Sequence, residues 1–258
     1  MTNLNGTSKS FDELIKEAIS AHFSGWDFSF MKNRYLEGDP IWDYRQIVVS
    51  HLPDCMALLD MGTGGGEFLS MISELPPFTA ATEAWLPNLE IAHQRLSPLG
   101  IVVSFVENDH NLPFPDEQFD RVINRHESYS PGEVMRILQP GGIFITQQVG
   151  GKDNDELNQF LAPGIPFTFE SWNLESAVTQ LQEEGFEILE QKTCRINYEF
   201  LDIGAVVYYL KVCEWQIPGF SIDKYHDRLL ALHQHIQDQG GFASSGERFL
   251  IIARKYNW

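Results

Sequence analysis

The chain has 258 residues, of which 43% are hydrophobic and 21% charged, with 20 Gly against 13 Pro. That is enough apolar material for one large domain, or one domain carrying a sizeable insertion, and it excludes a disordered tail, a collagen-like rod and a disulfide-held miniprotein. Asp and Glu number 36 against 18 Lys and Arg, a formal charge of −18. A field of that sign repels phosphate backbones and anionic lipid, so a nucleic-acid substrate is disfavoured.

Cys55, Cys194 and Cys213 are scattered, with no C-x-x-C spacing, and read as buried thiols in a reducing compartment. Met1 to Gly6 has neither a basic nor an apolar stretch, so no signal peptide is expected. The longest apolar runs, such as Gly204 to Leu210, fall far short of a membrane span. The expectation is a cytoplasmic protein without membrane contact.

Residues 1 to about 53 are predicted helical, with Phe11, Leu14, Ile15, Ala18 and Ile19 at helical spacing. From there short β-like runs alternate with helical patterns, which argues for a parallel sheet with crossover helices. Met56 to Asp60 reads as a first strand, Gly62 to Gly66 as a turn, and Glu67 to Ile72 as the start of a helix. Phe78 to Thr82 is a second strand, followed by a helix with Pro87 in its first turn and Leu89, Ile91, Ala92 and Leu96 on one face. Strands are expected at 101–106, 119–124 and 143–147, with a helix over 133–138 opened by Ser130-Pro131. Between Ile188 and Phe249 the pattern is largely helical, notably Ile203 to Cys213 and Lys224 to Ile236, before a strand-like run from Arg248 to Ala253. An excursion of that length is expected to be a cap rather than a loop.

The strongest signal is Asp60-Met61-Gly62-Thr63-Gly64-Gly65-Gly66-Glu67. Glycine permits positive φ and close approach of a ligand to the backbone, here at the carboxyl edge of the sheet where open α/β folds bind ligands. A P-loop would need a Lys after the glycines, and none follows. A dinucleotide fingerprint would put Glu67 where its third glycine belongs, beside a pyrophosphate that the carboxylate would repel. A cationic ligand without phosphate suits these surroundings better.

Glu83 ends the second strand about 20 residues further on, where doubly wound folds place an acid for ribose hydroxyls. From about Leu58 to Val149 the chain resembles class I S-adenosylmethionine-dependent methyltransferases of the small-molecule type, similar to methyltransferase domain 11. Leu59 to Gly66 matches the family's first motif and Ala81-Thr82-Glu83 its second. Val106 to His110 with Leu112-Pro113-Phe114 and Phe119-Asp120 is similar to the third region, and Arg136 to Gly142 resembles the turn after the fourth strand. The resemblance implies a Rossmann-like, doubly wound seven-stranded α/β sheet over 54–258, an N-terminal helical lid over 1–53, and a helical insertion at about 197–245 before the last strand. It implies S-adenosyl-L-methionine as cofactor. Asp60, Gly62, Thr63 and Gly64 would meet its methionine end, Glu83 its ribose, and Ala84 and Trp85 (or Leu86) its adenine face. Asp109 and the His110 amide would meet the adenine edge, and Asn124 would complete the pocket.

Transfer from an activated sulfonium depends chiefly on placing the nucleophile, so catalytic groups are poorly marked in sequence. After the fourth strand comes Asn124-Arg125-His126-Glu127-Ser128-Tyr129. His126 titrates near neutrality and is the candidate base; Arg125 or Glu127 is a candidate to orient a charged substrate. Trp26 to Phe30 and Pro40 to Arg45 are aromatic-rich, with Trp42 or Tyr44 the candidates to close over the ligand. Tyr198 to Leu210 and Trp215 to Pro218 offer an aromatic wall for an apolar acceptor. His226 and His233 share a helical face without a completing acid, so no metal site is expected. The reading is an S-adenosylmethionine-dependent methyltransferase acting on an oxygen or nitrogen of a small molecule. The rivals are an RNA or protein methyltransferase of the same fold and a non-catalytic protein that binds the same cofactor.

Overall fold

The computed structural model describes residues 9–24 and 27–256. Trp26 and the opening residues on which the signal-peptide reading rested lie outside them. Along the chain run α1 (Phe11–Ser20), β1 (Tyr35–Glu37), α2 (Tyr44–Ser50), β2 (Ala57–Met61), α3 (Glu67–Ser70), β3 (Phe78–Glu83), α4 (Leu86–Leu96), β4 (Val102–Phe105) and β5 (Phe119–Arg125). Then follow α5 (Pro131–Ile137), β6 (Leu138–Val149), α6 (Asp155–Leu161), α7 (Leu174–Glu183), β7 (Phe186–Phe200), α8 (Ile203–Val212), α9 (Ile222–Gln239) and β8 (Phe242–Lys255).

All strands join one sheet in the order β1-β7-β8-β6-β5-β2-β3-β4. Neighbours from β4 through β6 are parallel, β8 runs antiparallel to β6 and β7, and β1 adds antiparallel to β7. Every residue of β2 is buried, as expected of a parallel strand covered on both faces. Alternation along it sends Leu58 into a core with Phe68, Leu69, Ala92 and Leu96, and Leu59 into a core with Val134, Ile137, Ala177 and Leu181. After β2 the chain steps outward to β3 and β4, then returns to β5 on the other side. The order therefore reverses between β2 and β5, and the crevice at their carboxyl ends is where such sheets bind ligands.

The sheet has eight strands rather than the expected seven. The extra one, β1, is three residues long and too short to show a period in sequence. A third apolar cluster lies beyond the sheet proper: Leu14, Ile15 and Ala18 of α1 pack with Val206 and Leu210 of α8, Leu229 and Leu232 of α9, and Leu157 of α6. The N-terminal segment is thus split. Its first part builds this cap with the insertion, while Trp42, Tyr44 and Val48 pack on the sheet core. Arg34 ties the two parts of the cap, donating to both carboxylate oxygens of Asp202 at 2.6 and 2.7 Å. Asp202 also caps α8, accepting from the Ala205 amide at 2.9 Å.

Candidate functional site

The loop after β2 is built on left-handed backbone: φ is +67° at Gly62, +63° at Gly64 and +81° at Gly66. Two hydrogen bonds lash it to β3, from the Thr63 amide to the Thr82 carbonyl at 2.9 Å and from the Gly62 amide to Thr82 Oγ1 at 3.3 Å. Behind it, a β-carbon on Gly66 would fall 2.6 Å from Leu96 Cγ, so α4 packs directly against the bend. Arg95 of α4 donates to the Gly65 carbonyl and pairs with Glu67. The charge of Glu67 is therefore offset, and its expected repulsion of a pyrophosphate is not what sets the polarity of the crevice.

Four other carboxylates set it. Asp60 is buried and its Oδ2 has no hydrogen-bond partner; burial raises its pKa to about 7, with the Glu83 charge adding to the shift. Glu83, also buried, accepts from the Trp85 amide at 2.8 Å through Oε1, while Oε2 is unpartnered. Burial holds its pKa above the usual carboxylate value. Glu127 lies against Gly62, where a β-carbon would fall 2.5 Å from Glu127 Cβ; burial and the charges of Asp109 and Glu83 push its pKa to about 7. Asp109 accepts from Ser128 Oγ. The Thr63 hydroxyl faces Asp60 and the Asn88 amide faces Glu83, both buried and neither closing a hydrogen bond of good geometry. Buried polar atoms are nearly always paired, so orphans gathered at the switch point mark a place for a ligand, and the acids select a cation with hydroxyls to donate.

The remaining predicted residues stand around this centre. Ala84 and Trp85 are exposed, and the indole stacks on Phe23 at 5.6 Å, so the segment after α1 reaches the tip of β3. His110 is exposed, and its amide donates to Asn108 Oδ1 at 2.9 Å. Arg136 steadies that region by donating to the carbonyls of Leu112 and Phe114 at 3.1 and 2.7 Å. Asn124 is fully buried, with its Oδ1 accepting from Thr146 Oγ1 at 3.0 Å and Gln148 Nε2 at 2.6 Å. Its side chain is spent on framing the loop after β5.

A family profile described as a methyltransferase domain matches residues 59–146, the stretch holding the glycine loop, Glu83, Asp109 and Asn124. Residues 59–146 thus match a methyltransferase domain. It is 28% identical over 244 residues to a sterol 24-C-methyltransferase of Yarrowia lipolytica, covering 82% of this chain and spanning about three-fifths (60%) of that relative. In fold it is similar to a Bacillus halodurans protein assigned to the methyltransferases (TM-score 0.60, 18% identity, 83% of this chain and 99% of the other). It is also similar to a geranyl diphosphate methyltransferase solved with S-adenosylmethionine (TM-score 0.50, 16% identity, 82% and 84%).

On the other side of the methyltransferase crevice, Tyr44 and Trp42 are docked on the strand ends. Tyr44 donates to the Asn124 carbonyl at 3.1 Å, and Trp42 Nε1 donates to Gln147 Oε1 at 2.8 Å. Gln147 Nε2 lies 2.9 Å from His126 Nε2, and the Gln147 carbonyl accepts the His126 amide at 2.8 Å. His126 has φ +63°, and the residue is exposed to solvent although protein atoms crowd around it. Burial, then the nearby Arg248 and Arg125, hold its pKa below the ordinary imidazole value. Arg125 lies over the Phe68 ring at 5.4 Å, and Phe68 packs on Tyr44.

The aromatic wall of the insertion is mostly the cap's own core: Tyr208 is fully buried and packs on Phe30 at 4.6 Å. Beside it, Arg248 pairs with Asp153 at 2.9 Å and Glu37 at 3.1 Å, and Tyr198 donates to Asp153 at 2.7 Å. Sequence reading missed the polar run Thr146-Gln147-Gln148, all buried, and Asn88. The signal was there: three consecutive polar residues ending an apolar strand have to bond something.

Proposed function

We propose that this chain binds S-adenosylmethionine at the carboxyl ends of β2 and β3 and transfers its methyl group to a small-molecule acceptor held beneath the cap. The observation that carries this is the pair of buried, half-partnered carboxylates, Asp60 and Glu83, flanking the left-handed glycine loop. When bound, the cofactor supplies an activated methyl on a positively charged sulfur. The chain's own residues do the rest. Glu83 Oε2 accepts ribose hydroxyls, Asp60 and Glu127 balance the ammonium and sulfonium charges, and Gly62, Thr63 and Gly64 leave the backbone bare for close approach. Ala84 and Trp85 flank the adenine, with Asp109 and His110 at its edge, and Asn124 frames the floor. Trp42, Tyr44 and the cap exclude water and orient the acceptor, which is where most of the rate gain of such a transfer arises.

The acceptor atom on this reading is an oxygen or nitrogen. A second reading, methyl transfer to a carbon of a sterol-like molecule, is supported by the sterol relatives, whose similarity covers 82% and 74% of this chain and so extends beyond the motif region. The net charge of −18 counts against an RNA acceptor. The test is calorimetry with S-adenosylmethionine, then a panel of phenols, amines, carboxylic acids and sterols incubated with methyl-labelled cofactor. Micromolar binding and label in one acceptor class support the reading; no binding ends it.

A further inference from the structure

We infer that Trp42 and Gln147 are positioning residues that fix His126 with its proton on Nδ1, so that the imidazole meets the acceptor as a hydrogen-bond donor to an oxygen and not as its base. The argument is one of forced direction. An indole N–H only donates, so the oxygen it meets is the Gln147 carbonyl oxygen, Oε1, at 2.8 Å. The amide nitrogen left facing His126 also only donates, so His126 Nε2, 2.9 Å away, accepts. An imidazolium has no acceptor, hence the ring is neutral and its proton sits on Nδ1.

The rest of the geometry holds this arrangement still. Trp42 and Gln147 are buried, and the His126 amide is tied to the Gln147 carbonyl. The left-handed backbone at His126 turns the residue out of the β5 ladder. Arg125 and Arg248 both oppose a second proton. The Nε2 lone pair is thus spent, and Nδ1–H has no partner among the described residues. Only the identity of what this N–H meets rests on the methyl-transfer reading; the tautomer does not. An N–H at that point favours acceptors with an oxygen lone pair beside the methylated atom.

The test is side-chain nitrogen NMR on the full chain labelled with 15N-histidine, the His126 signals being those lost in His126→Asn. The wild type should show protonated Nδ1 and bare Nε2 at neutral pH. Gln147→Glu, whose carboxylate can only accept, should move the proton to Nε2, and Trp42→Phe, which frees the amide to turn over, should give a mixture. An Nε2–H form or an imidazolium in the wild type, or spectra unchanged in both variants, would overturn the relay. In the label-transfer assay His126→Asn, whose amide nitrogen falls near Nδ1, should keep at least about tenfold more turnover than His126→Gln, one hydrogen bond's worth. Equal loss or the opposite order overturns the donor role. Failure of the methyl-transfer reading shows separately, as absence of cofactor binding.

Discussion

Glu127 occupies the space that a side chain on Gly62 would need. The carboxylate that follows β5 and the bend that follows β2 are thus fitted to each other across the switch point, and the bend is bare for two reasons, its φ of +67° and this neighbour. Gly62→Ala should cost roughly 1–3 kcal/mol of stability from backbone strain and weaken S-adenosylmethionine binding at least tenfold. Adding Glu127→Ala should relieve the crowding but not the strain, so the double variant should recover only part of the thermal midpoint. Calorimetry and thermal melts on the four proteins of the cycle check this.

The acids give the site a pH dependence whose sign can be worked out. Asp60 and Glu127 both have folded-state pKa values raised to about 7 by burial. The folded chain therefore holds protons that the unfolded chain has released, and the ligand-free protein should lose stability as pH rises from about 4 to about 7, then level off. A cation prefers the ionised acids, so S-adenosylmethionine affinity should rise over pH 6 to 8, with proton release on binding. Melts with and without ligand across that range should therefore diverge as pH increases. Parallel curves would remove these groups from the site.

Glu83 is expected to be the largest single contributor to cofactor recognition. Hydrogen bonds to a charged acceptor are worth roughly 1.5–3 kcal/mol each, so Glu83→Ala should weaken binding at least tenfold. Glu83→Gln keeps one acceptor and should fall between. The melting temperature of the ligand-free variant should change little, because removal of the unpartnered buried Oε2 is offset by loss of the bond from the Trp85 amide to Oε1.

Asp202→Ala should destabilise the cap by about 2–3 kcal/mol, losing the helix cap and leaving Arg34 only its longer contact to Glu17 at 3.7 Å. Limited proteolysis should then cut first within α1 or α8. Cofactor affinity should stay within about twofold, since additivity holds for sites that share no partners.

The motif region was legible because its chemistry is local. Asp60, the glycines and Glu83 lie at strand ends, and the apolar runs of β2 and β3 are continuous in a doubly covered sheet. What sequence hid was long-range. The strand β7 reads as part of a helical stretch because its register shifts between Ile188 and Glu190, which breaks the alternation a strand would show. Most of its side chains also lie exposed or half-buried, so its polar residues mask the pattern. Nothing near Asp202 in sequence points to its partner, and only the fold brings Arg34 to it from 168 positions away. The pairing of Arg95 with Glu67 is of the same kind: no local pattern announces it, yet it offsets the Glu67 charge beside the glycine loop.

The shared interior of α1, α8 and α9 makes the cap a composite of distant chain segments. Replacing the insertion alone, in an attempt to transplant acceptor preference, would strand Leu14, Ile15 and Ala18 in water. Swaps that succeed will have to carry both segments together, and substrate range in this architecture should drift through paired changes, not single ones.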